Sequence, residues 1–232
     1  MKSRGKDYKN NLAKVEKGKL YSKEEAVKLV KDLSTAKFDA TIDVAMNLNL
    51  DVKKADQQLR GAMQLPKGTG KTNRVLVVAK GDNVTVAKEA GADFVGDTEL
   101  LEKIAKENWF EFDVMIATPD MMPILGKYGK ILGPKGLMPN PKTGTVTTNV
   151  AKAVADSKGG RVEYRTDSYG NIHGVIGKTS FSEADLLENL DAFVKTIIKL
   201  KPSTAKGTYI KSIAISGTMS PSVKIDQNTF DN

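Results

Sequence analysis

The chain contains 232 residues with a formal net charge of +8, and 40% of the residues are hydrophobic. That length allows one large domain or two modest ones with packed cores. The lack of cysteine excludes a disulfide framework and any thiolate metal or redox site. No apolar run approaches the roughly 18 residues of a membrane span, and the lysine-rich start lacks the apolar centre of a signal peptide. We therefore expect a cytoplasmic protein with no membrane partner.

The positive charge is concentrated at the start of the chain. Residues 1–71 carry 16 Lys and Arg against 9 Asp and Glu, whereas residues 72–159 carry 11 of each. Much of the excess precedes Tyr21, where seven basic residues accompany two acidic ones. A basic arm of this kind can bind nucleic acid, and it can equally be a solvated terminus without a binding role.

The first part of the chain predicts one helix and two strands. Ser22 and Glu25 have the spacing of a capping box, and the apolar residues after them recur at helical spacing, which predicts a helix over residues 22–35. Apolar residues alternate with polar or small ones from Ile42 to Leu50, as in a strand with one buried face. A second strand is predicted from Gln58 to Leu65.

A different pattern begins at Arg74 and predicts a parallel sheet. Val75–Ala79 is a continuous apolar run, typical of strands that are covered on both faces. The elements after it alternate between helix and strand, an order that is typical of α/β proteins. These predicted elements are a helix at 84–90, a strand at 93–95, a helix at 98–108, a strand at 112–117, a turn or helix after Pro119 and a helix at 149–158.

The pattern of the first part returns after Gly159 and Gly160. The predicted elements here are a hairpin of residues 161–165 and 172–176 around 168–170, a helix from Ser182 to about Leu200, and a strand from Tyr209 to Ile215. Because neither end of the chain has enough strands for a stable sheet, we predict that the two ends fold together.

The predicted fold class is therefore α/β, with two domains joined by a double hinge. Residues 1–67 and 160–232 form a discontinuous, split α+β domain, and residues 68–159 form an inserted α/β domain. Both crossings between the two predicted domains are rich in glycine, which suits a hinge.

Residues 126–146 have the most unusual composition in the chain. The segment contains five Gly, three Pro and four Lys but no Asp or Glu. This composition predicts a shaped, cationic loop rather than a helix or a central strand. Such a loop can present positive charge to a polyanion but supplies no acid, base or nucleophile, so it favours binding over catalysis. It either contacts RNA or braces the inserted domain.

The sequence offers no convincing constellation for catalysis. Gly68–Thr72 ends like a phosphate-binding loop, but it precedes its strand, and Leu65 stands where the pattern requires glycine. The residues after Ala79 lack the glycine pattern of a dinucleotide site. His173 is the only histidine, and with no cysteine in the chain a zinc site is not expected. No paired carboxylates have a spacing that indicates acid/base work. We predict no enzyme activity, no cofactor and no metal site.

Two loops have residues that suit RNA. In residues 37–41, Phe38 could stack on a base while Lys37 meets a phosphate, although a Phe after a helix is often buried in the core. In residues 216–222, hydroxyl groups and the thioether of Met219 could contact an RNA backbone, or the segment could be a simple C-terminal turn.

Taken together, these motifs resemble the bacterial ribosomal protein L-one family, found in the mobile stalk beside the tRNA exit site. The most specific element is Leu132–Asn140, and residues 36–41, 207–209 and 218–222 support it. The resemblance extends from about residue 8 to residue 225.

The resemblance implies a split domain that grips large-subunit ribosomal RNA and an inserted Rossmann-like domain. It implies two further partners, the exit-site tRNA whose movement and release the protein assists, and the messenger RNA of its own operon, whose translation it represses. A protein of this kind is expected to be monomeric off the ribosome. The positions that match the family's RNA face are Lys37, Phe38, Thr41, Arg165, Ser212, Thr218 and Met219; we add Lys178 and Ser180, on the strand leaving the hairpin.

One position departs from the family pattern. Family members commonly have glycine after the Met of the Thr-Met turn, where this chain has Ser220. The departure raises the question of whether the backbone there is left-handed or close to the RNA. Two other functions stay open from the residues alone: a nucleotide-dependent enzyme that uses the inserted domain, and a DNA-binding regulator that uses the basic arm.

Overall fold

The computed structural model describes residues 5–230, which form two compact units. One unit combines the described residues up to Gly70 with those from Val162 onward, and the other is Lys71–Arg161. The mixed helix and strand content of the two units agrees with the α/β fold class that the sequence predicts. The predicted domain boundaries at 67/68 and 159/160 stay a prediction. Among residues 5–230, no helix is long and apolar enough to cross a membrane.

The discontinuous unit contains most of the secondary structure of the chain. Its helices are α1 (Lys6–Ala13), α2 (Lys23–Asp32) and α8 (Glu183–Lys199), and its strands are β1 (Thr41–Leu48), β2 (Arg60–Gln64), β6 (Arg161–Arg165), β7 (Asn171–Lys178), β8 (Ile210–Gly217) and β9 (Val223–Ile225). The boundary between the units falls after Arg161, the first residue of β6. The predicted capping box of α2 is confirmed, because Ser22 Oγ accepts a hydrogen bond from the Glu25 amide and the Glu25 carboxylate accepts one from the Ser22 amide.

An antiparallel sheet in the order β7-β1-β8-β9 forms the centre of this unit. Alternate residues of β1 are buried, from Ile42 to Leu48, and they share one core cluster with Val30 of α2 and Phe193 of α8. Gly174 of β7 lies against the Phe193 ring, where a Cβ atom would clash. The helices therefore cover one face of the sheet. We call the other face, which bears the exposed Asp43, the open face.

The inserted unit is built around a parallel sheet whose strands are, in order, β4 (Phe94–Gly96), β3 (Val75–Val78) and β5 (Val114–Ala117). Leu76 and Val78 of the central strand belong to one core cluster, whereas Val75 and Val77 belong to the other. Both faces of this strand are therefore covered, as its continuous apolar run predicts. The elements are β3 (Val75–Val78), α3 (Asp82–Glu89), β4 (Phe94–Gly96), α4 (Thr98–Glu107), β5 (Val114–Ala117), α5 (Met122–Lys127), α6 (Gly129–Leu132) and α7 (Val150–Lys158).

Two local predictions were wrong, and two elements were not predicted. The hairpin of residues 161–165 and 172–176 does not form as a ladder, because β6 pairs with β2 in a separate two-stranded sheet while β7 pairs with β1. A single bridge between Thr166 and Ile172 links the two strands where they meet. The helix α1 and the strand β9 were not predicted. Residues 126–146 are partly helical, since they contain the end of α5, all of α6 and a 3-10 turn at Pro141–Thr143.

The first crossing segment, residues 66–70, is held by one buried amide. Asn189 of α8 is completely buried, and its Oδ1 accepts a hydrogen bond from the Lys67 amide at 3.0 Å. Its Nδ2 donates to the carbonyl of Gly68 at 3.0 Å and to that of Ile176 at 2.8 Å. A buried side chain with all these partners fixes the segment to α8 and β7.

Candidate nucleic-acid interface

Three loops meet at one end of the central sheet. Thr41 at the start of β1 pairs in register with Lys178 at the end of β7. The Thr41 carbonyl accepts hydrogen bonds from the amide and the hydroxyl of Thr218, at 3.0 and 3.2 Å. These contacts bring together residues that lie far apart in the sequence. We call this group the loop cluster; its members are Lys37, Phe38, Thr41, Lys178, Ser180, Thr218 and Met219.

The loop cluster exposes two large apolar side chains. Phe38 is 57% exposed and Met219 is 82% exposed. The alternative that Phe38 is buried in the core is therefore wrong. Lys37 beside it is also exposed. An aromatic ring, a thioether and a cation thus lie open to solvent at the same end of the sheet, a combination that suits unstacked bases and phosphates.

The turn that carries Met219 answers the question raised by Ser220. The left-handed residue is Met219, with φ of 66°, and residue 220 does not have a positive φ. The Ser220 hydroxyl accepts a hydrogen bond from the Gly217 amide at 3.0 Å and donates one to the Gly217 carbonyl at 2.9 Å. The Ser220 amide also donates to that carbonyl at 3.0 Å. Serine therefore closes the turn and causes no strain there.

An acidic residue that sequence reasoning gave no role organises the other side of the loop cluster. Asp39 accepts hydrogen bonds from the Thr179 hydroxyl at 3.0 Å, the Ser180 amide at 3.0 Å and the Ser180 hydroxyl at 2.8 Å. Partial burial acts to raise the pKa of Asp39, but the hydrogen bonds from Ser180 and Thr179 and the charge of Lys178 bring its net pKa below the usual range. Asp39 therefore stays ionised and holds Ser180 in place.

Arg165 and Ser212 do not belong to the loop cluster. Ser212 pairs with Asn47, six residues along β1 from Thr41, which corresponds to about 20 Å at the rise of an antiparallel strand. Arg165 is exposed at the end of β6, and its neighbours Tyr164 and Thr166 are buried. The turn of residues 166–171 connects that strand to β7, whose first residue Asn171 also pairs with Asn47. The nine predicted site residues therefore form two groups, one at each end of the open face.

The open face between the two groups has short side chains. Ala45 of β1 pairs with Ala214 of β8, and Asp43 pairs with Ser216. Although Asp43 is exposed at the surface, partial loss of its hydration raises the pKa of its carboxyl, and the nearby His173 opposes that effect. The side chain of His173 is two-thirds exposed, with Nε2 4.0 Å from Asp167. The short side chains at most of these positions leave room for a nucleic-acid backbone to approach the sheet closely.

The segment 126–146 presents lysines on the inserted unit. Lys127, Lys130, Lys135 and Lys142 are all exposed. The end of the segment is fixed from within, because the Thr145 hydroxyl contacts both the amide and the carbonyl of Asn140, at 2.8 and 3.2 Å. Lys135 Nζ lies 3.9 Å from the centre of the Phe110 ring. Within the part of the chain that the structure describes, no group of three or more His, Asp or Glu side chains could hold a metal ion.

Comparison with known proteins identifies the family of this chain. A model of the Ribosomal protein L1p/L10e family matches residues 30–221, which include both groups of predicted site residues and the whole inserted unit. The chain belongs to this family. Members of the Ribosomal protein L1p/L10e family are structural ribosomal proteins and not enzymes, which confirms the prediction that the chain has no catalytic function.

Three curated relatives extend the similarity to nearly the whole chain. The chain is 57% identical over 229 residues to the large ribosomal subunit protein uL1 of Limosilactobacillus fermentum, covering 99% of each protein. It is 59% identical over 212 residues to that of Phytoplasma australiense, covering 91% of this chain and 92% of the relative. It is 56% identical over 230 residues to that of Streptococcus pneumoniae, covering 99% and 100%.

Proposed function

We propose that this protein is a structural constituent of the large ribosomal subunit in the cytoplasm, where it binds large-subunit ribosomal RNA. The observation that carries the proposal is the loop cluster, in which remote segments of one unit join around the Thr41 carbonyl and leave Phe38 and Met219 exposed. Because the chain is 56–59% identical to three large ribosomal subunit proteins, we expect the ligand of the loop cluster to be large-subunit ribosomal RNA.

We assign the contacts by the chemistry of each group. Lys37 and Lys178 meet phosphates in the loop cluster, and Arg165 meets one at the other end of the open face. Hydroxyl groups of Thr218, Ser180 and Ser212 bond to ribose hydroxyls or backbone oxygens, while the apolar side chains of the cluster press against bases. Recognition is thus by the shape and backbone of a folded RNA. If about 4 to 8 phosphates are neutralised, log affinity falls against log salt with a slope of roughly −3 to −7.

The proposal gives each unit its own part. The discontinuous unit is the RNA-binding domain, and the inserted unit assists movement and release of the exit-site tRNA, with the lysines of 126–146 as its contacts. The double hinge lies at the two crossings, beyond the residues of the first crossing that Asn189 holds at Lys67 and Gly68. The same RNA-binding surface represses translation of the protein's own operon when it binds a messenger RNA that imitates the ribosomal site. Off the ribosome the protein is a monomer, which sedimentation equilibrium measures directly.

Filter binding of the full-length protein tests the ribosomal RNA assignment. One arm uses an in vitro transcript of the large-subunit ribosomal RNA, and the other uses duplex DNA at the same salt concentration. The double variant Phe38→Ala, Thr218→Ala is expected to bind the transcript about tenfold or more weakly, because a stacking surface and a hydroxyl contact are lost. Leu20→Ala is the control, since Leu20 is a 56% exposed apolar residue of the same unit outside the cluster.

Two results would refute the proposal. Equal affinity of the wild-type protein for duplex DNA and for the transcript would favour a DNA-binding regulator. Undiminished affinity of a folded double variant for the transcript would remove the loop cluster from the RNA-binding surface. The repressor role is tested with a transcript of the protein's own operon leader, which should compete with the ribosomal RNA transcript for binding to the protein.

A further inference from the structure

Tyr169 lies at the tip of the turn of residues 166–171, at the end of the open face away from the loop cluster. Its side chain is 82% exposed, the same fraction as Met219 and more than Phe38. Isolated apolar side chains are common on protein surfaces and need no explanation by themselves. The construction of this turn and the charges around it distinguish Tyr169 from such residues.

The turn holds Tyr169 in a fixed position. Asp167 Oδ1 accepts hydrogen bonds from the amides of Tyr169 and Asn171, both at 2.8 Å, and Asp167 Oδ2 accepts one from the Asn171 side chain at 2.9 Å. Gly170 has φ of 79°, and a Cβ atom at this position would lie 2.9 Å from the Leu48 carbonyl oxygen. The turn therefore sits tightly on the end of β1. A stiff turn presents an aromatic ring at little further cost in conformational entropy.

Basic residues of three strands surround this turn. Arg165 precedes it on β6, and Lys211 is exposed on β8 next to Ser212. The amide and hydroxyl of Thr166 both bond to the Leu59 carbonyl, which places the exposed Arg60 at the start of β2 beside the same turn. The one carboxylate within the turn, that of Asp167, is ionised, because the hydrogen bonds from Asn171 and Tyr169 lower its pKa, but the three exposed cations outnumber it. The surroundings of Tyr169 thus favour a polyanion.

We propose that Tyr169 is a stacking platform for an unpaired base, flanked by phosphates that Arg165 and Lys211 contact. The inference rests on the proposed function, because the base belongs to the same RNA that the loop cluster binds. Unpaired bases in loops and bulges stack on exposed aromatic rings, and nearby cations hold the backbone on either side. The RNA then contacts the protein at two places about 20 Å apart along β1, which selects for a folded RNA with an unpaired base at the correct distance.

The test uses the full-length protein, an in vitro transcript of the large-subunit ribosomal RNA and filter binding across a series of salt concentrations. Tyr169→Ala is expected to weaken binding by about 5- to 150-fold, the range for loss of one stacked base. Tyr169→Phe keeps the ring and is expected to stay within about twofold of the wild type. Ser168→Ala, on the same turn, is the matched control. The salt slope stays unchanged in the Tyr169 variants, whereas Arg165→Gln reduces its magnitude by about 1.

Three outcomes would overturn the inference. They are wild-type affinity of Tyr169→Ala, equal weakening by Tyr169→Phe and Tyr169→Ala, and a loss of salt dependence in Tyr169→Ala. Thermal unfolding of each variant checks that the fold is intact, which the exposure of the side chain leads us to expect. Failure of the wild-type protein to prefer the transcript over duplex DNA would refute the proposed function itself, so the two failures are distinguishable.

Discussion

Met219 combines an unfavourable backbone conformation with an exposed side chain, so its replacement by glycine should raise stability while it weakens binding. A left-handed conformation costs a non-glycine residue roughly 1–2 kcal/mol, and Met219 has φ of 66°. Glycine avoids that cost but adds about 0.4–1 kcal/mol of conformational entropy to the unfolded chain. Met219→Gly should therefore be more stable than Met219→Ala by about 0.5–1 kcal/mol.

The comparison between glycine and alanine isolates the backbone term. Both variants lose the same thioether, and because Met219 is 82% exposed, either change removes little buried area. Both should bind the ribosomal RNA transcript about fivefold more weakly, if the side chain buries roughly half of its area against RNA. A residue whose strained backbone presents a binding side chain is expected to become more stable and to bind more weakly when glycine replaces it.

Urea unfolding followed by far-UV circular dichroism measures the stability difference, and filter binding measures affinity. Since the chain has two units, urea can produce two unfolding transitions, and the relevant one is that of the discontinuous unit, which contains Met219. A destabilising variant in the inserted unit identifies it, because that variant leaves the transition of the discontinuous unit unchanged. If Met219→Gly is no more stable than Met219→Ala, the backbone at Met219 is not strained and the reasoning fails. If both variants keep wild-type affinity, Met219 does not touch the RNA.

Two further predictions concern stability. The pKa of Asp113 is lowered from 3.8 to about 2, mainly by the hydrogen bond from Lys71. Partial burial opposes this effect, and hydrogen bonds from Arg74 add to it, so the folded state prefers the ionised carboxylate. Because the Lys71 and Arg74 side chains are more than half exposed, solvent screening limits this stabilisation to about 1 kcal/mol. It is present above pH 4 and is lost as the pH falls through about 2. Urea unfolding should therefore show Asp113→Asn less stable at pH 7 but little different near pH 2, and an equal difference at both pH values would contradict the reasoning. Asn189→Leu removes the hydrogen bonds to the Lys67 amide and to the carbonyls of Gly68 and Ile176, of which only the last is fully buried. The loss should cost about 2–3 kcal/mol, measured by thermal or urea unfolding, and a loss below about 1 kcal/mol would show that water replaces the amide.

Local patterns predicted the helices and the buried strands well, because their causes are local. The capping box at Ser22, the apolar stripe that follows it, and the continuous run at Val75 each act within a few residues. The boundaries shifted slightly: the helix predicted over 22–35 is α2, Lys23–Asp32, and the strand predicted over 42–50 is β1, Thr41–Leu48. Cap geometry and frayed ends explain shifts of this size.

Strand pairing was harder to predict, because partners are chosen by tertiary contacts. The short loop between β6 and β7 suggested a hairpin, but β6 pairs with β2 in a separate sheet, which leaves β7 as an edge strand that forms its ladder with β1. Only three residues, Val223–Ile225, form β9, too few for a clear alternation. Asp39 in the loop cluster was missed for the same reason. Its partners Thr179 and Ser180 lie 140 and 141 positions away, so no local spacing could reveal them.

The order of the strands explains why the candidate interface depends on both ends of the chain. The central strand β1 comes from the first part, but its two neighbours, β7 and β8, both come from the last part. Without them β1 has no partner in this sheet, and without β1 the strands β7 and β8 are not joined. The pairing that completes the sheet also brings Thr218 and Lys178 to Thr41, and Ser212 to Asn47. A fragment that lacks either end should therefore lose the sheet and both groups of site residues together, because the same hydrogen bonds create all three.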